Sequence, residues 1–164
     1  MFTGKLSSRH LLTALIAGFL LHNAEETFAM YYQPVQSQFA FVKPMDFRQF
    51  LFAVSLLSFA GIMAFAFAML TKNRNTALLI STALASVILF NVFVPHVFVA
   101  IYTLHYTPGI ITATLLNLPV SLMLLKKNRP CYPNPRQLLR QVLIGLAAGY
   151  ALFAITLLAA KTLI

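Results

Sequence analysis

The stretch LLHNAEETFAM, residues 20–30, places three ionisable side chains inside a segment that otherwise has the composition of a membrane helix. At about 100° per residue, Glu26 lies about 40° from His22 around the helix, and Glu25 lies about 60° away on the other side. An imidazole flanked by carboxylates can bind a metal ion or transfer a proton. Because an intramembrane carboxylate costs roughly 2.5–3.5 kcal/mol on insertion scales, we expect these side chains to face a bundle interior and to have partners.

The third apolar segment supplies such partners in LFNVFVPHVFVA, which contains Asn91 and His96. Pro95 lacks an N–H group, so the carbonyl of Asn91 loses its helical partner and we predict a kink that turns His96 inward. At ~1.5 Å per residue, His22 to Glu26 lie ~6–12 Å beneath the outer end of their helix, and His96 lies ~6–8 Å beneath the end of its own. The two groups are therefore predicted to meet.

The next connection, YTLHYTPGIITATLLNLP, brings further polar groups to the same rim. His105 and Tyr106 fall at the outer surface, and the Pro-Gly pair at 108–109 is a turn that starts the next helix. Thr112 and Asn117 then descend along that helix. These residues predict a polar pocket in the outer leaflet that opens to the outside.

The composition predicts the elements that position this pocket. With 60% hydrophobic residues, 9% charged residues and a mean hydropathy of +0.82, the chain is too apolar for a soluble domain of 164 residues. We predict an all-α, polytopic membrane helical bundle that forms one domain over 1–164. The five expected transmembrane helices are 9–30, 47–71, 76–101, 109–125 and 138–160, and the first is interpreted as a retained helix rather than a cleaved signal peptide.

The basic residues predict the orientation of this bundle. Five spans place nine of the twelve Lys and Arg residues on the side of the N-terminus and three on the other. The first group is Lys5, Arg9, Lys72, Arg74, Lys126, Lys127, Arg129, Arg136 and Arg140, and the second is Lys43, Arg48 and Lys161. The positive-inside rule then places the N-terminus in the cytoplasm and the C-terminus outside, in the inner membrane of a bacterium.

The same basic residues also indicate what the protein binds. The net charge of +9 is explained by loop anchors that face anionic lipid headgroups, so the bilayer is the expected partner. No soluble face with interleaved basic residues exists for nucleic acid. The single cysteine, Cys131, excludes an internal disulfide. The oligomeric state is left open.

The ordered motifs resemble the HXXEE family of membrane proteins, which has no known function and is named for a His-x-x-Glu-Glu motif. That motif stands here as His22-Asn-Ala-Glu25-Glu26, and the family's Tyr-x-Pro-Gly and Leu-Pro elements correspond to residues 106–109 and 118–119. The family's Asn-x-x-x-His element corresponds to Asn91 and His96, which are five residues apart here rather than four. The resemblance covers most of residues 20–120 and implies a shared architecture and site but no reaction.

The leading hypothesis is a metal centre with His22, Glu26 and His96 as ligands, and zinc as the first choice. Its catalytic groups are Glu25 or Glu26 as a general base and Tyr106 as a donor to a developing oxyanion. The substrate pocket is lined by Asn91, His105, Thr112 and Asn117. This predicts a zinc-type, hydrolase-like membrane enzyme that acts on a lipid or amphiphilic substrate, in which Gln at either glutamate weakens metal retention, more so at Glu26.

Three alternatives use the same residues. A metal-free enzyme could transfer protons between a buried carboxylate and a histidine on a lipid-like substrate. A proton-coupled carrier could use Glu25 or Glu26, although the sequence shows neither an inverted repeat nor a polar counterpart near the cytoplasmic side. A structural network could pin the first, third and fourth helices. Carboxylate-bridged di-iron bundles are excluded because they need more than the three acidic residues present.

Overall fold

The chain folds into five helices in a computed structural model that describes residues 7–32 and 46–164. The helices are α1 (Ser8–Tyr32), α2 (Phe47–Leu70), α3 (Arg74–Thr103), α4 (Ile110–Cys131) and α5 (Pro135–Leu163). No strand occurs within the described ranges. The prediction of an all-α bundle is confirmed.

The helix ends differ from the predicted ones at several positions. The fourth helix runs to Cys131 rather than ending at 125, because Lys126 and Lys127 continue it and place positive charge at its carboxyl end. Most of the predicted 31–46 connection falls at 33–45, outside the described residues, as do Lys5 and Lys43.

Four of the helices, α2 to α5, are long and apolar enough to cross a membrane. The chain is therefore a membrane protein. The 25-residue α1 is long enough as well, but His22, Asn23 and the two glutamates lower its hydropathy. It still contributes Leu11, Leu12 and Leu15 to the buried core, together with Ile88 of α3 and Leu124 of α4.

The helices approach one another closely at small residues. The third helix packs against α5, α4 and α2, whereas α1 packs mainly against α2 and α4. A Cβ atom added to Gly145 of α5 would lie 2.7 Å from the Cα atom of Ala83 in α3. One added to Gly61 of α2 would lie 2.9 Å from the ring of Phe19 in α1. Small residues therefore set the helix separations, as is common between membrane helices.

Two helices are irregular at the end of the bundle where the polar residues gather. In α3, the helix is broken within Val92–Val97, where Val94 has non-helical torsion angles (φ −128°, ψ 110°), so the predicted kink at Pro95 is confirmed. In α4, residues Ala113–Asn117 form a π-helical turn. The two irregular segments contact each other. π-Helical turns inside α-helices occur frequently at functional sites.

Candidate functional site

Two histidines and one glutamate converge where α1 meets the kink of α3. Oε1 of Glu26 lies 3.7 Å from Nε2 of His22 and 3.3 Å from Nε2 of His96. The two imidazole rings meet edge to face, with centroids 4.5 Å apart. Both histidine side chains are 1% exposed, and that of Glu26 is 19% exposed. The three predicted ligands therefore form one cluster, in which one ligand atom from each lies within 4.8 Å of the others.

The backbone at the start of α4 orients the ring of His22 and lies beside that of His96. Nδ1 of His22 lies 3.0 Å from the carbonyl oxygen of Gly109. A carbonyl only accepts, so this contact assigns the ring hydrogen to Nδ1 and leaves the lone pair of Nε2 facing Glu26. The carbonyl of Pro108 interacts with the ring of His96, although among the described residues no well-formed hydrogen bond reaches the buried Nδ1 of that ring. Each imidazole thus presents Nε2 to the centre of the cluster.

Asn91 lies between the two histidines. Its Nδ2 is 3.2 Å from Nε2 of His22 and 3.3 Å from Nε2 of His96. The helix is broken between Asn91 and His96, where Val94 has non-helical torsion angles, so regular helical spacing does not apply across the kink. The two side chains therefore meet despite the departure from the family spacing.

Glu25 points away from this cluster and holds the start of α4. Its Oε2 accepts hydrogen bonds from the backbone N–H of Thr112 (2.8 Å) and from Oγ1 of Thr112 (2.6 Å). Its Oε1 accepts from the backbone N–H of Ile111 (3.3 Å) and from the hydroxyl of Tyr106 (2.7 Å). The first N–H groups of a helix have no intrahelical acceptor and carry partial positive charge, so they attract this carboxylate. The geometry therefore gives Glu25 a positioning role.

The hydroxyl of Tyr106 donates its hydrogen to Glu25 in this contact. The side chain is 48% exposed, and its hydroxyl donates to Glu25 rather than to the space between the histidines. Burial, followed by this hydrogen bond, raises the pKa of Tyr106 to about 12. This arrangement favours a positioning role over the predicted contact with an oxyanion.

Gly109 is required where the chain passes His22. Its φ of +82° lies in the left-handed region, which L side chains rarely adopt. An added Cβ atom would lie 2.5 Å from Cε1 of His22 and 2.8 Å from Cγ of Glu26. The Pro-Gly turn therefore lets the backbone carbonyl reach the imidazole.

Of the other predicted pocket residues, one contacts the site and two lie outside it. Thr112 joins the site, because its Oγ1 lies 3.2 Å from Nδ1 of His22 in addition to donating to Glu25. His105 is exposed in the connection between α3 and α4, and no described contact joins its side chain to the cluster. Asn117 is buried against Gly18, one turn before His22, and its Oδ1 has no partner among the described residues.

Sequence reasoning missed the polar contacts of two asparagines. Asn23 donates to Oγ of Ser58 (2.8 Å) and so joins α1 to α2. At the opposite end of the bundle, Asn128 donates to Ser81 (2.9 Å) and Thr82 (3.1 Å), both in α3. These neutral side chains form a buried polar network at that end. The only signal in the sequence was the position of Asn128 beside the basic residues at the end of α4.

The contact between Glu25 and Tyr106 predicts how the Tyr106 hydroxyl titrates. In Glu25→Gln, the pKa of Tyr106 should fall from about 12 toward its ordinary value, because the negative charge that disfavours the phenolate is removed. The raised pKa also means that Tyr106 stabilises the fold below pH ~10, and that this contribution is lost as the pH rises toward 12. The ultraviolet absorbance of phenolate, measured against Tyr106→Phe in each background, would follow this group. An unchanged midpoint in Glu25→Gln would contradict the contact.

Comparison with known proteins places these residues in a family. Residues 13–124 match the model of the family described as a protein of unknown function with an HXXEE motif. The chain is also 31% identical over 102 residues to the uncharacterized protein YrkK of Bacillus subtilis (strain 168), a match that covers 62% of this chain and 63% of that relative. No solved structure matches. Because the family model covers more than half of the chain and includes the His-x-x-Glu-Glu motif and the start of α4, the chain belongs to the HXXEE family.

Proposed function

We propose that the protein is a zinc-dependent, hydrolase-like membrane enzyme whose metal ligands are His22, Glu26 and His96. The convergence of the two Nε2 atoms and Oε1 of Glu26 carries this proposal. Two imidazoles and one carboxylate are the ligand set of several catalytic zinc sites, which keep a fourth position for water or substrate. Zinc held in this way would supply a Lewis acid able to activate water at neutral pH.

Two of the three separations between the ligand atoms are close to those of a zinc site, and all three lie within 4.8 Å. Zinc bonds of 2.0–2.1 Å in a tetrahedral site separate the ligand atoms by about 3.3 Å. The contact of Glu26 with His96 already has this length, and that with His22 is 0.4 Å longer (3.7 against 3.3 Å). The contact of His22 Nδ1 with a backbone carbonyl is the outer-shell arrangement typical of histidine ligands.

The second oxygen of Glu26 would take part in proton transfer, and Glu25 and Tyr106 would hold the site in position. Oε1 of Glu26 faces the histidines, so its Oε2 is the oxygen that we assign to accept a proton. Glu25 and Tyr106 would fix the start of α4, whose carbonyl at Gly109 orients His22. The two adjacent glutamates would therefore act differently, one on the metal and one on the helix.

A lipid or amphiphilic substrate is favoured by the surroundings of the cluster. The cluster lies near one end of apolar helices, and Phe93, Val94 and Phe98 of the kinked segment are exposed on the outer surface of the bundle. Glu26 is accessible in part, so the centre is not sealed. A molecule with an apolar tail could reach the cluster from the bilayer.

We further propose that all five helices span a bacterial inner membrane, with the N-terminus inside and the cluster near the outer surface. The 25 residues of α1 give a length of about 37 Å at 1.5 Å per residue, which is sufficient to cross the hydrocarbon. Burial of its core residues among the other helices supports its inclusion in the bundle. The nine-to-three distribution of cations supports the orientation.

One observation favours a second function. A hydrogen of the Asn91 amide could satisfy the Nε2 lone pair of His22 without a metal. Nε2 of His96 would then share a proton with Oε1 of Glu26, 3.3 Å away, in a metal-free acid/base site. Rotation of the same amide by 180° would instead present Oδ1, a possible metal ligand, so metal content distinguishes the two functions.

Removal of one ligand should abolish metal binding. Protein purified in detergent and dialysed against zinc-buffered solution should contain about one zinc ion per chain. The zinc content of His22→Ala should be lower by a factor of about ten or more. Elemental analysis provides the measurement. The matched control is His105→Ala, which removes an exposed histidine outside the cluster and should leave zinc content unchanged.

Two results would contradict the metal site. Wild-type protein without stoichiometric zinc after loading would favour the acid/base function. Equal zinc content in His22→Ala and wild type would show that the metal binds elsewhere.

The orientation predicts the accessibility of Cys131, which is exposed at the end of α4. A membrane-impermeant maleimide should label this thiol in broken cells but not in intact ones. A matched probe is Leu104→Cys in a Cys131→Ser background, because Leu104 is exposed in the connection at the opposite end. It should be labelled in intact cells. The reverse pattern would invert the orientation, and labelling of both from the same side would contradict five spans.

A further inference from the structure

A cavity lies at the end of the bundle opposite the His/Glu cluster formed by His22, Glu26 and His96. It has a volume of about 770 Å³ and is bounded by the start of α1, the end of α2, the start of α3 and the end of α4. This volume lies within the ~300–1,000 Å³ typical of ligand pockets. Its charged lining residues are Arg9, Lys72 and Arg74. Nothing in the proposed metal site uses this cavity.

The positive charge of this cavity is not neutralised by the chain. The sequence contains three acidic residues, of which Glu25 and Glu26 lie at the other end of the bundle. The third, Asp46, caps the start of α2, whereas the cavity meets the end of that helix. Within the described ranges none of the three cations makes an ion pair. All three side chains are exposed, so an anion from outside the chain can reach them.

The inner wall of the cavity is polar and fixed. Asn128, 2% exposed, lines it and donates to Ser81, which is a second lining residue. Asn128 also donates to Thr82, which accepts a further hydrogen bond from the hydroxyl of Tyr132 (2.9 Å). These contacts connect the ends of α3 and α4 behind the cations. The cavity is thus supported by buried hydrogen bonds rather than formed by mobile surface side chains alone.

Apolar side chains complete the lining. Leu12 of α1, Met69 of α2 and Leu78 of α3 border the same space. A group that satisfies the whole cavity would combine negative charge with an apolar portion. Arg and Lys bind phosphate oxygens through charge-assisted hydrogen bonds, and their clustering near a membrane surface is typical of sites for anionic headgroups.

We propose that this cavity binds a phosphate group, carried by an anionic phospholipid whose glycerol and first methylene groups contact the apolar lining. The cations would contact the phosphate oxygens, and the polar wall would limit how deeply the headgroup enters. The same chemistry could recognise a soluble phosphate, which the experiment must distinguish. The position of the cations at helix ends places the site at headgroup depth.

The test measures lipid retention by native mass spectrometry. Protein is extracted from vesicles of phosphatidylglycerol and phosphatidylethanolamine, and the bound phospholipid is counted. Wild-type protein should retain one phosphatidylglycerol molecule. The variant Arg9→Gln/Lys72→Gln/Arg74→Gln should retain at least tenfold less. The matched control, Lys126→Gln/Lys127→Gln/Arg140→Gln, removes equal charge near the same membrane surface but outside the cavity, and should retain the lipid.

A second variant guards against misfolding. Ala77→Phe fills the cavity without a change of charge and should also displace the lipid. Circular dichroism reports whether each variant keeps its helical content. Binding of inorganic phosphate by lipid-free wild type, abolished by the cavity variants, would support the site with a soluble ligand. Equal retention of lipid and phosphate by wild type, both cavity variants and control would overturn the proposal, as would equal losses in the cavity variants and the control.

Discussion

The arrangement of the polar residues depends on one interaction, the contact of the Glu25 carboxylate with the start of α4. Two backbone N–H groups and two hydroxyl groups donate to it. Hydrogen bonds to a charged acceptor contribute about 1.5–3 kcal/mol each, and more of this is retained where water is scarce. This contact fixes the turn at 107–109 against α1, which places the Gly109 carbonyl on His22. The position of the imidazole therefore depends on a glutamate that does not touch it.

The two glutamates differ because adjacent residues on a helix point about 100° apart. Glu25 faces the start of α4, where unpaired N–H groups attract it. Glu26 faces α3, where the kink places His96 against it. Together the two side chains connect α1 to both irregular helices. The break at Val94 in α3 and the left-handed Gly109 before α4 both shape the site. Nδ2 of Asn91 lies 3.3 Å from Nε2 of His96 across the break, and Gly109 admits the backbone to His22.

The helices and the meeting of the cluster residues could be predicted from the sequence. Runs of apolar residues located the five helices, and the depth of each polar residue along its helix predicted that His22, Glu26 and His96 would meet. Pro95 predicted the kink. These inferences succeeded because length and periodicity are properties of single helices, and the bilayer restricts how helices can be arranged.

The remainder depends on contacts between helices, which no local pattern encodes. From the sequence alone, either glutamate could have capped α4, since the two flank His22 on one helix face. The break in α3 at Val94 concealed the relation of Asn91 to His96. Ser81, Thr82 and Asn128 were overlooked because single small polar residues in apolar helices resemble packing positions, and their hydrogen bonds became apparent only when α3 and α4 were placed together.

We propose that Glu25 positions the helix whereas Glu26 binds the metal, and the shift in melting temperature on zinc addition tests this division most directly. Bound zinc would stabilise whichever variant retains the site, by about 2.7 kcal/mol at a concentration of 100 times Kd. Glu25→Gln should melt at a lower temperature than wild type but keep an upward shift on zinc addition. Glu26→Gln should lose the shift. A shift that survives in Glu26→Gln but disappears in Glu25→Gln, or that is absent from wild type, would contradict the account.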